Sequence, residues 1–127
     1  MGTPKWIKPF FVVAGLYDGI LGLLFLLMPH QLFGLTNVPP PNHAGYIQFP
    51  ALLLVIFGIM FLTIARNPFA NRNLIMYGIL LKAAYCGVVL SHWLLGNMPI
   101  MWIVFAFFDF VFLVLFLAAR KVLRKQA

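Results

Sequence analysis

Four apolar runs, each close to the roughly 20 residues that an α-helix needs to cross about 30 Å of hydrocarbon, occupy most of this chain. They read as spans over Pro9–Met28, Ile47–Ala65, Asn73–Leu95 and Pro99–Ala119, within one domain over 1–127. Helix-breaking residues punctuate them: Pro29 follows the first, "RNPFANR" separates the second from the third, and "GNMP" separates the third from the fourth. A membrane β-barrel would instead alternate apolar and polar residues in segments of about ten, and no such alternation is present. The expected fold is therefore all-α, an integral-membrane bundle of four transmembrane helices.

Composition argues the same way. Hydrophobic residues make up 64% of the chain and charged residues 9%, against a soluble norm of about 25% charged. A soluble domain could not cover so much apolar surface. The net charge of +7 would suit nucleic acid only if lysine and arginine alternated with polar residues on one accessible face. Here they flank apolar runs, so the expected partner is the lipid bilayer and not nucleic acid. The single cysteine, Cys86, lies in an apolar run, which excludes an intramolecular disulfide and a multi-cysteine metal site.

The same basic residues set the orientation. Lys5 and Lys8 precede the first span, Arg66 and Arg72 bracket the second loop, and Arg120, Lys121, Arg124 and Lys125 follow the fourth. The loop 29–46 and the turn 96–98 contain neither lysine nor arginine. The positive-inside rule then puts both termini in the cytoplasm and the loop 29–46 outside, as in a multi-pass membrane protein. The first run resembles a signal peptide, but it has no small-x-small cleavage site, is interrupted by Asp18 and is long enough to span, so it is expected to be retained. Trp6, Trp93, Trp102, Tyr46 and Tyr77 fall near span ends, as interfacial aromatics do.

Three charges lie inside the spans. The chain has only two acidic residues, Asp18 and Asp109, and Lys82 is the one basic residue that does not flank a span. All three come roughly 13–15 Å after the start of a span at 1.5 Å per residue, near the membrane centre. Each isolated charge there costs about 2.5–3.5 kcal/mol on insertion. The economical arrangement turns all three inward, with Lys82 bonding one or both aspartates in an Asp–Lys–Asp network that Tyr17 and Tyr85 are near enough in sequence to join. Two carboxylates against one ammonium leave a negative charge, so one carboxyl should hold or share a proton, unless a cation is bound. Gly15 and Gly19 form a GxxxG pair beside Asp18, and Gly78, Tyr85 and Cys86 share a stripe with Lys82, so both faces read as interior. The stripe around Asp109 holds Ala106 but also Phe105, Phe112 and Phe116, which suit lipid as well as a neighbouring helix.

Outside the spans, the loop "PHQLFGLTNVPPPNHAGYIQFP" combines a short interfacial helix at "HQLFGL" with an extended "VPPPN". It reads as a stiff connector, with Asn42, His43, Tyr46 and Gln48 as polar groups that a ligand could use. His30, His43 and His92 map to the outer half and could in principle meet a metal with Met28, Met98 and Met101, but their spacing matches no metal motif. No nucleophile–base pair, phosphate loop, C-x-x-C-H or H-E-x-x-H is present, and no histidine lies at the midplane for haem. No cofactor is expected beyond a hydrophobic ligand or lipid.

The order Tyr17–Asp18 with glycines in span one, Pro29 closing it, a proline-rich outer loop, Arg66–Asn67–Pro68 after span two, Lys82 in span three and Asp109 in span four resembles small bacterial four-helix inner-membrane proteins, distantly similar to the DoxX-like group. The resemblance implies a four-helix membrane protein in which Asp18, Lys82 and Asp109 belong to the group's pattern. It carries over no reaction. The expected function is a binding or accessory component, as a homo-oligomer or a subunit of a larger membrane complex. A small proton-coupled transporter and a quinone-linked oxidoreductase subunit are the alternatives.

Overall fold

The computed structural model describes residues 3–126, and among these every regular element is helical. Five α-helices follow in order: α1 Ile7–Leu27, α2 Pro29–Thr36, α3 Gly45–Arg66, α4 Ile75–Leu94 and α5 Ile100–Lys125, with a 3₁₀ turn at Arg72–Leu74 leading into α4. Among the described residues, four of these segments, Ile7–Leu27, Gly45–Arg66, Arg72–Leu94 and Ile100–Lys125, are long and apolar enough to cross a membrane. Two compact units divide the chain at Asn67.

The first unit is built on α1 and α3. Buried positions of α1, Ile7, Phe11, Ala14, Gly15, Asp18, Gly22 and Phe25, recur at spacings of three and four, the stripe that a helix presents to a neighbour. Glycines let the two backbones close up. A Cβ placed on Gly22 would lie 2.6 Å from the Ala51 carbonyl oxygen, and one on Gly58 would lie 2.8 Å from that of Gly15. Gly15 opposite Gly58 and Gly22 opposite Ala51 make the pair antiparallel. Phe11 and Phe61 continue the seam with ring centroids 6.3 Å apart. The short α2 begins on Pro29, whose missing N–H sits where a helix has no use for it, and ends on Asn37 in the left-handed region at φ 55°. Its buried Phe33 meets Phe25 of α1 at 5.8 Å.

The second unit pairs α4 with α5. Between them the chain turns on Gly96, held at φ +81°, whose N–H donates to the Trp93 carbonyl while Asn97 N–H reaches back to His92 O. This is the glycine helix stop, and Pro99 then opens α5. Buried positions again recur at three, four and seven: Ile75, Gly78, Lys82 and Val89 on α4, and Asp109, Phe116, Ala119 and Leu123 on α5.

Element ends differ from the sequence expectation for physical reasons. Helix α1 starts two residues before Pro9, because a proline in the first turn withholds an N–H that has no helical acceptor. Helix α3 starts at Gly45, whose N–H is taken by Nδ1 of His43 at 2.9 Å. Helix α5 continues six residues past Ala119, since Leu123 still buries its side chain and Arg124 and Lys125 suit the negative end of the helix dipole.

Candidate functional site

Mid-helix charges define the site. Counted along their own helices, Asp18, Lys82 and Asp109 fall between roughly 10 and 17 Å from the helix starts at about 1.5 Å per residue. All three are buried, at 1%, 1% and 8% exposure. Few side chains carry a stronger penalty for burial, so their surroundings decide what they do.

Lys82 and Asp109 come together. Lys82 Nζ donates to Asp109 Oδ1 at 3.1 Å, closing an ion pair between the middles of α4 and α5. The same ammonium lies 5.3 Å from the centroid of the Phe112 ring, one turn along α5 from Asp109, within range of a cation–π attraction. Phe112 and Phe116 stack at 6.1 Å, and Phe116 is fully buried, so the aromatic stripe around Asp109 is an inner surface here.

Two further polar contacts extend the pair into a seam. Tyr85 O–H donates to the Trp102 carbonyl at 3.0 Å, and Cys86 S–H donates to the Ala106 carbonyl at 3.4 Å. Both acceptors lie in α5, where each carbonyl has a second lone pair beyond its helical bond. Lys82, Tyr85 and Cys86 are thus three adjacent positions on one face of α4, each bonded to α5. A slip of α5 by one turn, about 5.4 Å, would break all three contacts together.

Asp18 belongs to the α1/α3 unit, on the stripe between Gly15 and Gly22, while Tyr17 beside it is half-buried. The outer-loop candidates Asn42, His43, Tyr46 and Gln48 are all exposed. His43 is occupied locally, as the acceptor for Gly45 N–H and in an edge contact with the Tyr46 ring at 6.0 Å. His30 lies in the first turn of α2 and His92 in the last turn of α4. Among the described residues no three of histidine, cysteine, aspartate or glutamate gather where they could hold a metal ion.

Sequence reasoning missed one constellation. Arg72, Arg120 and Arg124, read above only as topology signals, line a single cavity with Asn73, Met76 and Tyr77. The available signal was the i, i+4 spacing of Arg120 and Arg124, which puts both on one face of α5.

The chain matches no protein-family model, and no curated protein or solved structure is detectably similar to it.

Proposed function

We propose that this chain is a small multi-pass membrane protein, with both termini cytoplasmic, that serves as a binding or accessory component, holding a hydrophobic molecule or docking onto a larger membrane complex. Membrane insertion is supported by the apolar side chains left exposed along the four long helices, among them Ile20, Ile56, Leu80, Val88, Phe107 and Phe110. The placement of lysine and arginine supports the orientation. A bacterial inner-membrane home and kinship with the DoxX-like group rest on the residue pattern described above.

The observation that carries the reading is the closed Lys82–Asp109 pair. A lysine and a carboxylate already bonded to each other present no net charge, and the neighbouring Tyr85 and Cys86 contacts tie the same two helices. Such a seam fixes shape. The test is reconstitution in vesicles carrying an internal pH dye. Neither wild type nor the Lys82→Met/Asp109→Leu double variant should pass protons faster than empty vesicles. A pH-dependent flux that Lys82→Met abolishes in a folded chain would replace this reading with the proton-coupled carrier.

A further inference from the structure

At the end of the second unit away from the Gly96 turn, the 3₁₀ turn Arg72–Leu74 packs against both α4 and α5. Between these elements opens a cavity of about 220 Å³ lined by Arg72, Asn73, Met76, Tyr77, Arg120 and Arg124. One ordered water needs only about 10–15 Å³ on this measure, so the space admits a group of several heavy atoms.

Its chemistry is one-sided. Three arginines line it, and none of its lining residues is acidic. Neither of the chain's two acidic side chains, Asp18 and Asp109, lines it: Asp109 lies eleven residues before Arg120, roughly 16 Å away along α5 at 1.5 Å per residue. Like charges gathered in one recess repel, and an anion entering it removes that repulsion. Arg72 is also held in place before any ligand arrives. Its Nη1 donates to the Phe69 carbonyl at 2.7 Å, and its guanidinium lies 4.1 Å from the centroid of the Phe69 ring. An anchored, planar fork loses less entropy on bonding an oxyanion than a mobile lysine does. Asn73 and Tyr77 add side chains able to donate to further oxygens.

We propose that this cavity binds a phosphate group, and that an anionic phospholipid headgroup supplies it. Arginine forks match phosphate oxygens in pairs of parallel N–H···O bonds. Basic pockets between helices on the cytoplasmic side are the places where anionic headgroups dock. The lipid assignment rests on the membrane reading above. The phosphate chemistry does not, because free phosphate offers the same oxygens.

The full chain in an uncharged detergent is titrated separately with phosphatidylglycerol, phosphatidylcholine and inorganic phosphate, with bound ligand read by native mass spectrometry. Arg120→Gln/Arg124→Gln is compared with Lys121→Gln/Lys125→Gln, which removes the same charge from the same end of α5 at residues that do not line the cavity. The expected result is phosphatidylglycerol binding that falls by about tenfold or more in the arginine pair and by less than about threefold in the lysine pair, with phosphatidylcholine weak throughout. Inorganic phosphate binding with the same arginine dependence, and phosphatidylglycerol no tighter, would keep the phosphate site and overturn the lipid source. Equal losses in the two pairs, or no binding of either phosphate ligand, would overturn the proposal. Circular-dichroism melts of the ligand-free variants separate lost binding from lost folding. Alkaline extraction of the wild type from phosphatidylcholine vesicles reports on the membrane reading alone. A chain that resists extraction yet shows no preference for phosphatidylglycerol defeats only the lipid site.

Discussion

Gly15 and Gly58 face each other across α1 and α3 so closely that a Cβ on either would strike the other's carbonyl oxygen, at 2.9 Å from Gly15 and 2.8 Å from Gly58. Real side-chain carbons do not tolerate such distances, so one helix would have to move. Gly58→Ala should therefore destabilise the α1/α3 pair by about 1–3 kcal/mol, the range for overpacking a tight interface. Gly19→Ala is the internal control, because a Cβ there meets nothing within 4 Å. It should be neutral, or stabilising by up to about 1 kcal/mol through helix propensity. Thermal melts of both in detergent decide the matter, and equal behaviour would count against the glycine seam.

The α4/α5 ion pair makes a double-variant prediction. Removing one partner leaves a buried charge without its counter-charge, so Lys82→Met alone should lower stability by about 3–5 kcal/mol. Replacing both, as in Lys82→Met/Asp109→Leu, should recover most of that loss, since two apolar groups need no compensation. Denaturant unfolding in mixed micelles measures the cycle. Additive losses would mean that the pair is not the coupling between these helices.

Tyr85→Phe deletes one hydroxyl and its bond to Trp102 O while keeping the ring. Hydrogen bonds between membrane helices average about 0.6 kcal/mol, so the loss should be small and much less than that for Lys82→Met. A Tyr85→Phe variant as damaged as Lys82→Met would shift the weight of the seam away from the charges.

Orientation is open to chemical labelling. In a Cys86→Ser background, Asn42→Cys should react with a membrane-impermeant maleimide on intact cells, while Gln126→Cys should react only after the membrane is opened. The reverse pattern would invert the topology, and with it the side of the membrane on which Arg72, Arg120 and Arg124 stand.

Much of the architecture was legible because hydrocarbon imposes a length: four runs of about twenty apolar residues leave little choice but helices. The inner faces of Asp18 and Lys82 were legible from small neighbours at three and four residues. Asp109 was harder. Phenylalanine serves lipid and helix equally, and only the structure separates the buried Phe116 from the exposed Phe107 and Phe110 on the same helix. The pairing of Lys82 with Asp109 depends on the register of α5 against α4, which no local spacing states. Gly58 carries no local signal for the same reason, since "VIFGIMF" is unremarkable until its partner across the seam is known. The arginine cavity needed three segments far apart in sequence.

The tight turn at Gly96 has a bearing on how such a chain is made. Only 27 positions separate Lys82 from Asp109, and the short connection between Leu94 and Ile100 joins their helices, so both charges emerge from synthesis almost together. Presented singly, each helix would carry an unmatched charge into hydrocarbon at about 2.5–3.5 kcal/mol. In the membrane reading proposed above, a folded hairpin would instead bring the two in as one matched pair, so the turn that looks like a mere connector would bear on the order of events in biogenesis.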